Sequence, residues 1–590
     1  MKTTSRIVIT PLFRAAALRR GIALAFGGLA LLLAPQTGVA TTTATWNGTG
    51  VTGGTGNGVW SNLSNYTSSA AFSTSQILDF GLMSGTNTLS ATAGSYDVGG
   101  ISFGSTSASS PSTTMKPTLT GDGVLGDVTI NLTGNITAAS PAGSVATLGS
   151  DLILNLSNGI HTMGYASNPN VTATASPVGV LVINSLITGG GSGASIGVAF
   201  ATYGSTSTYG GSMPLVLTNN NNSFDAAFIY SAVRGPLSYT SIGNAGVNSS
   251  LGNASAANST IGIGNSSSFN YIGATSQTTN RGLIYGSTQI SNYASSPSTL
   301  SFTGTLTATS QTLAGYLRLG VSAGNTLSFT NGFTDFGANS NMVTKMGTSS
   351  YYNASGVSTA ASGTGTVILR GASTYTGGTV FQSASGTILV ANTTGSGLGT
   401  GNVTFASAGG STLGGTGIIA LGGSAIVNVL TGNFISPGGV DGVAVGTLTF
   451  DGGNTTGAVL TMAVGAKFVF DLAASNASDK IVMLNYASND LTLNANAFVF
   501  SGAQAGDYVL FQTYDSNGVL TDAGLSAANF SLATSTGLTG YTSSLDFGTT
   551  GEVILHLAAV PEPATWALLL GGTVFLMFSA AFRRRRVALA

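Results

Sequence analysis

Side chains able to do acid–base or metal chemistry are scarce along these 590 residues. There are two histidines, His161 and His556, two glutamates, Glu552 and Glu562, and no cysteine. Without thiols, neither a disulfide framework nor a thiolate metal site is available. Glycoside hydrolysis needs two carboxylates flanking one sugar bond, whereas the aspartates are scattered singly, Asp122 and Asp127 being among the closest pairs. A histidine-based triad needs a nucleophile on a tight elbow, and no Gly-x-Ser-x-Gly elbow is read around one. Calcium-loop spacings are missing, so Asp441-Gly442 and Asp451-Gly452-Gly453 read as turns. Arg281, Arg318 and Arg370 read as solvated faces or turn supports. This inventory predicts no catalytic residue, no metal and no cofactor, and a protein that is not an enzyme.

The chain that must carry these few groups is unusual in charge. Charged residues make up 6% of it, against roughly 25% in an ordinary soluble domain. Yet 43% of the residues are hydrophobic, an apolar content that disordered chains lack. Most cations sit at the ends, at Lys2, Arg6, Arg14, Arg19 and Arg20 and again at Arg583 to Arg586. Residues 41–560 keep eight Lys/Arg against seventeen Asp/Glu. Such a mildly acidic body lacks the basic face that neutralises phosphates, which excludes nucleic acid as a partner.

Both ends read as address labels. Residues 1–40 form a secretory signal peptide: Arg19-Arg20, an apolar run Gly21–Ala34, then Gly38-Val39-Ala40 with small residues at −3 and −1, which places cleavage before Thr41. The partners implied are the Sec translocon and signal peptidase. At the other end the apolar run 564–582 is long enough to predict a transmembrane helix, with Arg583 to Arg586 as a cytoplasmic stop. The order Pro561-Glu562-Pro563, apolar helix, Arg583-Arg584-Arg585-Arg586 resembles the PEP-CTERM sorting signal over residues 560–586. The resemblance implies an exosortase that removes the tail after a transient stay in the inner membrane. It also implies delivery to the cell surface or extracellular matrix of a Gram-negative, exopolysaccharide-producing bacterium.

Between the labels, short β-rich runs recur, closed by Gly, Asn, Ser or Asp. Val128–Leu132, Leu152–Leu156, Thr366–Leu369, Gly386–Val390, Asn402–Phe405, Gly446–Phe450 and Lys467–Phe470 are such runs, and the alternation of apolar residues with Thr, Ser or Asn predicts half-buried strands. With so little charge, like side chains can stack above one another without repulsion. Within 366–417, Tyr375-Thr376-Gly377-Gly378-Thr379 followed by Gly386-Thr387-Ile388-Leu389-Val390 and Gly397-Leu398-Gly399 is similar to the autotransporter-associated β-strand repeat. That similarity implies a right-handed parallel β-helix. The expected fold class is therefore all-β: a parallel β-helix over 41–433, a terminal β-rich domain over 434–558 and the sorting signal over 559–590. Trp46 and Trp60 are expected to cap the first rung.

The function expected is that of an exported structural or adhesive protein of the surface or biofilm matrix, associated with extracellular polysaccharide. Two alternatives share the fold. One is a carbohydrate-active β-helix enzyme, a lyase or hydrolase. The other is a carbohydrate-binding protein, for which Tyr203, Tyr209, Tyr230 and Tyr239 are the candidate platform.

Overall fold

The computed structural model describes residues 42–45, 57–560 and 563–587, leaving out 63–64, 67–70, 81–84, 104–113, 139–142, 166–178, 198–213, 231–235, 265–266, 310–314, 337–341, 348–349, 383–384, 454–458, 487–489 and 523. The signal peptide and Trp46 lie outside the described residues. The described chain is mostly β, with long parallel sheets consistent with a β-solenoid. It divides into two compact units, Met1–Val367 and Ile368–Ala590.

Alternation in the sequence becomes alternation in burial. Val128–Leu132 and Leu152–Leu156 bury every second side chain, as do Thr447–Asp451 and Lys467–Asp471 in the second unit. In the first unit, Val145–Leu148, Leu152–Leu156 and Ile160–Tyr165 occupy three different faces. The chain then returns to the first face at Val180–Ile183, with Val145 opposite Val180 and Leu148 opposite Ile183. Leu152–Leu156 likewise lies parallel on Val128–Leu132, and Met163 pairs with Ile136. Each circuit thus lays its strands, in register, on those of the circuit before.

The second unit repeats the pattern. Thr412–Gly415, Ile418–Ala420 and Val427–Val429 take three faces, and Phe434–Pro437 returns to the first with Thr412 opposite Phe434. Parallel pairing runs on past residue 434, through Lys467–Ala497 and Thr447–Lys480. It becomes antiparallel where Gly506–Thr513 meets Glu552–Ala559, which in turn pairs with Tyr541–Asp546.

Parallel register puts like on like inside. Val98, Leu132 and Leu156 form one buried aliphatic column. Phe381 stacks on Phe405 with centroids 4.3 Å apart and rings 4° from parallel, and Phe302 stacks on Phe329 at 5.4 Å. Near the start of the first unit, Trp60 is fully buried among Tyr96 and Phe72, with its indole N–H on the Thr120 carbonyl at 2.8 Å. Outside, polar columns follow the same register: Asn155 donates to Asn131 at 2.9 Å, and Asn131 donates to Asp97 at 2.7 Å.

Corners are where a wound sheet loses ladder bonds, and buried asparagines replace them. In the first unit Asn222 accepts from the Ile187 N–H at 2.8 Å and donates to the Ser250 carbonyl at 3.1 Å. Asn325 accepts from the Ser298 N–H and donates to the Ala294 carbonyl. In the second unit Asn392 both accepts from the Ile418 N–H and donates to the Ile418 carbonyl. Asn433 accepts from the Ser411 N–H and donates to the Ser407 carbonyl, and Asn496 donates to the Ala463 and Ala466 carbonyls while accepting from the Asn494 N–H.

The expected membrane-spanning helix is corrected. A helix does run over Pro563–Val587, but among the described residues no helix is long and apolar enough to cross a membrane. Of that helix, side chains are described over 567–582. Leu568, Leu569, Phe575 and Met577 are all exposed on it.

Replacing Asn222 with alanine strands one buried backbone N–H and one carbonyl, at a cost of about 1–3 kcal/mol each. Chemical denaturation of Asn222→Ala is therefore expected to show a loss of about 2–4 kcal/mol. A loss under about 0.5 kcal/mol, the range of ordinary surface substitutions, would mean the corner does not need the side chain.

Candidate functional site

The repeat motif builds a corner rather than a reactive site. Tyr375 is fully buried, and its hydroxyl hydrogen-bonds the Thr379 hydroxyl at 2.7 Å. The Tyr375 carbonyl accepts from the Thr400 N–H at 2.9 Å, and the Thr379 N–H donates to the Asn402 carbonyl at 2.7 Å. Gly378 sits at φ +95°, where a Cβ would come 2.4 Å from the Asn402 oxygen. A Cβ at Gly401 would come 2.3 Å from the Thr376 oxygen. Thr376 and Gly377 thus form a turn against the next circuit. The spacing Tyr-Thr-Gly-Gly-Thr reflects how closely one circuit approaches the next.

The sorting and cleavage residues are less accessible to structural description. Gly38, Ala40, Thr41, Pro561 and Glu562 lie outside the described residues. Pro563 is the first residue of the C-terminal helix, a position where its missing N–H costs nothing. Arg583, Arg584, Arg585 and Arg586 fall in the last turns of that helix, and their side chains lie outside the described ones.

The titratable groups resolve into separate structural tasks. His161 is buried, with Nδ1 2.9 Å from the Gly134 carbonyl and Nε2 2.9 Å from the Ser157 carbonyl. Arg281 corrects the solvated-face expectation. It is 1% exposed, and its guanidinium supports two turns by donating to the Leu251 carbonyl at 2.9 Å and the Ser259 carbonyl at 3.3 Å. Burial pushes its pKa down to about 10, opposed by the Asp225 carboxylate. Arg370 holds Asp441 bidentately at 2.6 and 3.0 Å. That hydrogen-bonded pair lowers the Asp441 pKa and braces a turn in which Asp441 has φ +54°. Asp479 ties two circuits by accepting from the Gly446 and Asp471 N–H groups at 2.6 and 2.9 Å, while burial pushes its pKa up to about 7.

One acid–base grouping escaped the sequence reading. Antiparallel pairing sets His556 opposite Asp507 on one side and Ser544 on the other. Nδ1 lies 2.6 Å from Asp507 and Nε2 3.6 Å from Asp546. With a carboxylate facing each nitrogen, the arrangement stabilises the imidazolium, and the His556 pKa rises, first through the Asp507 hydrogen bond. A triad needs the far nitrogen on a hydroxyl and a neutral base near pH 7, so this surface trio is not one. The signal that pointed to it is only that Asp507 and His556 both sit in strand-like runs.

Gly-x-Ser-x-Gly pentads do occur, at 100–104, 193–197 and Gly320-Val321-Ser322-Ala323-Gly324, which corrects the elbow reading. Ser102 and Ser195 sit inside the strands Gly100–Phe103 and Leu186–Gly197, which leaves the third pentad at a turn. It lies in a strand–turn–strand connection between Gly315–Val321 and Thr326–Phe329, not the strand–turn–helix of a nucleophile elbow. The Ser322 hydroxyl accepts from Asn325 at 2.7 Å. Among the described residues, no group of three His, Cys, Asp or Glu side chains is placed to hold a metal ion. Tyr203, Tyr209 and the side chain of Tyr230 lie outside the described residues. Tyr239 is corrected from a candidate exposed platform to a core residue, fully buried 4.3 Å from Phe269. No protein-family model matches the chain, and no curated protein matches it.

Because the His556 pKa is raised above 6.5 in the folded state, its pairing contributes stability below about pH 6.5 that is lost as pH rises through the folded value. An NMR titration is expected to place His556 above 6.5, and Asp507→Asn is expected to bring it down. A wild-type value at or below that of the Asp507→Asn variant would contradict the pairing.

Proposed function

We propose that this chain is an exported structural or adhesive protein of a bacterial cell surface or extracellular matrix, built as a right-handed parallel β-helix. The observation that carries the reading is the stacked parallel ladder itself. Its charged groups brace turns and circuits, as Arg281, Arg370 and Asp479 do, instead of converging on a substrate. Stacked circuits with polar outward columns suit display and contact more than turnover at a point.

The ends supply the address. In this reading the Sec translocon takes the chain across, and signal peptidase cuts between Ala40 and Thr41. An exosortase then recognises Pro561-Glu562-Pro563 and removes the tail. The exposed apolar side chains of the C-terminal helix, Leu568, Leu569, Phe575 and Met577 among them, support a transient association with the inner membrane, where such an enzyme works. Extracellular polysaccharide is the partner the mature protein meets.

Deletion of residues 560–590, followed by cell fractionation, tests the sorting step. The deleted protein is expected to leave the surface fraction and appear free in the periplasm or medium. Unchanged surface display would overturn it, and Glu562→Ala is expected to act in the same direction with the helix retained.

A further inference from the structure

The first unit contains a small roof over a polar strip. Ser350–Tyr352 and Ser358–Ala360 pair antiparallel as a two-stranded hairpin that joins neither of the unit's long parallel sheets. Its turn is held locally, Asn353 accepting from the Ser355 and Val357 N–H groups at 3.0 Å. Tyr351 and Tyr352 pack on an outward-facing patch of Val180, Val182, Val216 and Ile272, and Tyr351 stacks on Tyr293 at 4.9 Å. The hairpin's first strand also lies against Pro236–Tyr239.

Register then shows a change of chemistry beneath it. One outward column runs Val182, Val216, Ser238, Asn270, Ser291, Gly320. The two valines meet the hairpin as apolar surface, whereas the next residues are polar and as deeply buried. The neighbouring column brings Gln289 and Arg318 side by side. Gln289 Nε2 donates within this strip, to Ser291 at 2.8 Å, Tyr293 at 3.2 Å and Asn270 Oδ1 at 3.4 Å. Yet Ser238 Oγ, Asn270 Nδ2 and Arg318 Nε, all buried, have no hydrogen-bond partner. At the Arg318 end the strip reaches the surface, with the guanidinium 5.4 Å from the ring of exposed Tyr316.

Unpartnered buried polar groups are costly and call for an explanation. The fold does not require them, because valine fills the same column two circuits earlier. All three atoms offer an N–H or O–H, and one belongs to a cation. Acceptor atoms satisfy all three, and negative charge complements the guanidinium. Ser238, Asn270 and Ser291 span two strand spacings, about 10 Å, with the Tyr293 hydroxyl lying over Gly320 at the far end. That exceeds a lone carboxylate and matches about two linked sugar rings bearing hydroxyls and a carboxylate. Tyrosines beside a guanidinium provide the amphipathic wall such rings pack on.

We propose that this strip is a binding site for an acidic saccharide of up to two hexuronate units, and that the hairpin is its displaceable roof. The site stands independently of how the chain is sorted. Titration calorimetry of the full chain with sodium galacturonate and with a short oligogalacturonate tests it, with galactose and acetate as comparisons. Saturable binding of either uronate is expected, weakened by about tenfold or more in Asn270→Val and Arg318→Met, with hydrogen exchange of residues 350–360 slowed on binding. Tighter binding of the oligomer assigns a polymer as the natural source, and equal binding assigns the free sugar. Ser238→Val/Asn270→Val extends the valine column and is expected to raise the melting temperature while abolishing binding, which separates loss of the site from loss of the fold. Absence of uronate binding would leave the polar atoms as holders of buried water and overturn the proposal. Galactose or acetate binding as tightly as uronate would overturn it as well, and so would Asn270→Val and Arg318→Met variants that bind like wild type.

Discussion

Hydrogen bonding at the corners is the constraint on which the rest of this structure depends. A strand in a parallel ladder satisfies its backbone on both neighbours, but each turn between faces breaks the run and buries N–H and C=O groups without partners. Here carboxamides take the place of the missing backbone. Asn222 and Asn325 in the first unit, and Asn392, Asn433 and Asn496 in the second, are 2% exposed or less and reach backbone groups beyond their own turn. The carboxamide is suited to this because it carries an acceptor and donors on one short arm. Once the corners are satisfied, circuits can lie in register, and in-register circuits place leucine on leucine and phenylalanine on phenylalanine.

That register also governs where chemistry can occur. Along a stack, every outward residue belongs to a column, and its neighbours lie a strand spacing away rather than beside it in sequence. Columns such as Asp97–Asn131–Asn155 satisfy themselves by donating along the stack. The column under the hairpin does not: Ser238 Oγ and Asn270 Nδ2 stay buried without a partner. Charges elsewhere serve the frame: Arg281 under two turns, Arg370 on Asp441, Asp479 between two circuits. Arginine suits such posts because its donors fan out in a plane.

Much of the frame was legible in the sequence. Strands such as Val128–Leu132, Thr447–Asp451 and Lys467–Asp471 follow directly from alternation, because burial on one face is a local property of the residues. Gly378 could be read as a turn residue, and the close approach to Asn402 explains why glycine is needed there. Partnership was not legible. Asparagine looks the same in the sequence whether it closes a surface turn or bridges two circuits, so Asn222 and Asn392 passed as punctuation. Asp507 and His556 are 49 residues apart and meet only through an antiparallel pairing that no local pattern announces. Tyr239 has the composition of a sugar platform and the environment of a core residue. Parallel pairing continues on both sides of residue 434, where the terminal domain is expected to begin.

Register is thus the claim from which the corner bridges, the interior stacks and the polar strip all follow, and the cysteine-free chain lets it be measured directly. Parallel neighbours lie about 4.8 Å apart, within the ~4.4–6.8 Å that a disulfide bridges. Thr129 pairs with Ile153 in the first unit and Val469 with Val499 in the second. Cysteine pairs at these positions, in otherwise unchanged protein, are expected to cross-link under mild oxidation, while pairs displaced by two residues, Thr129 with Asn155 and Val469 with Ala497, stay reduced. Cross-linking of the displaced pairs in preference to the aligned ones would contradict the ladder.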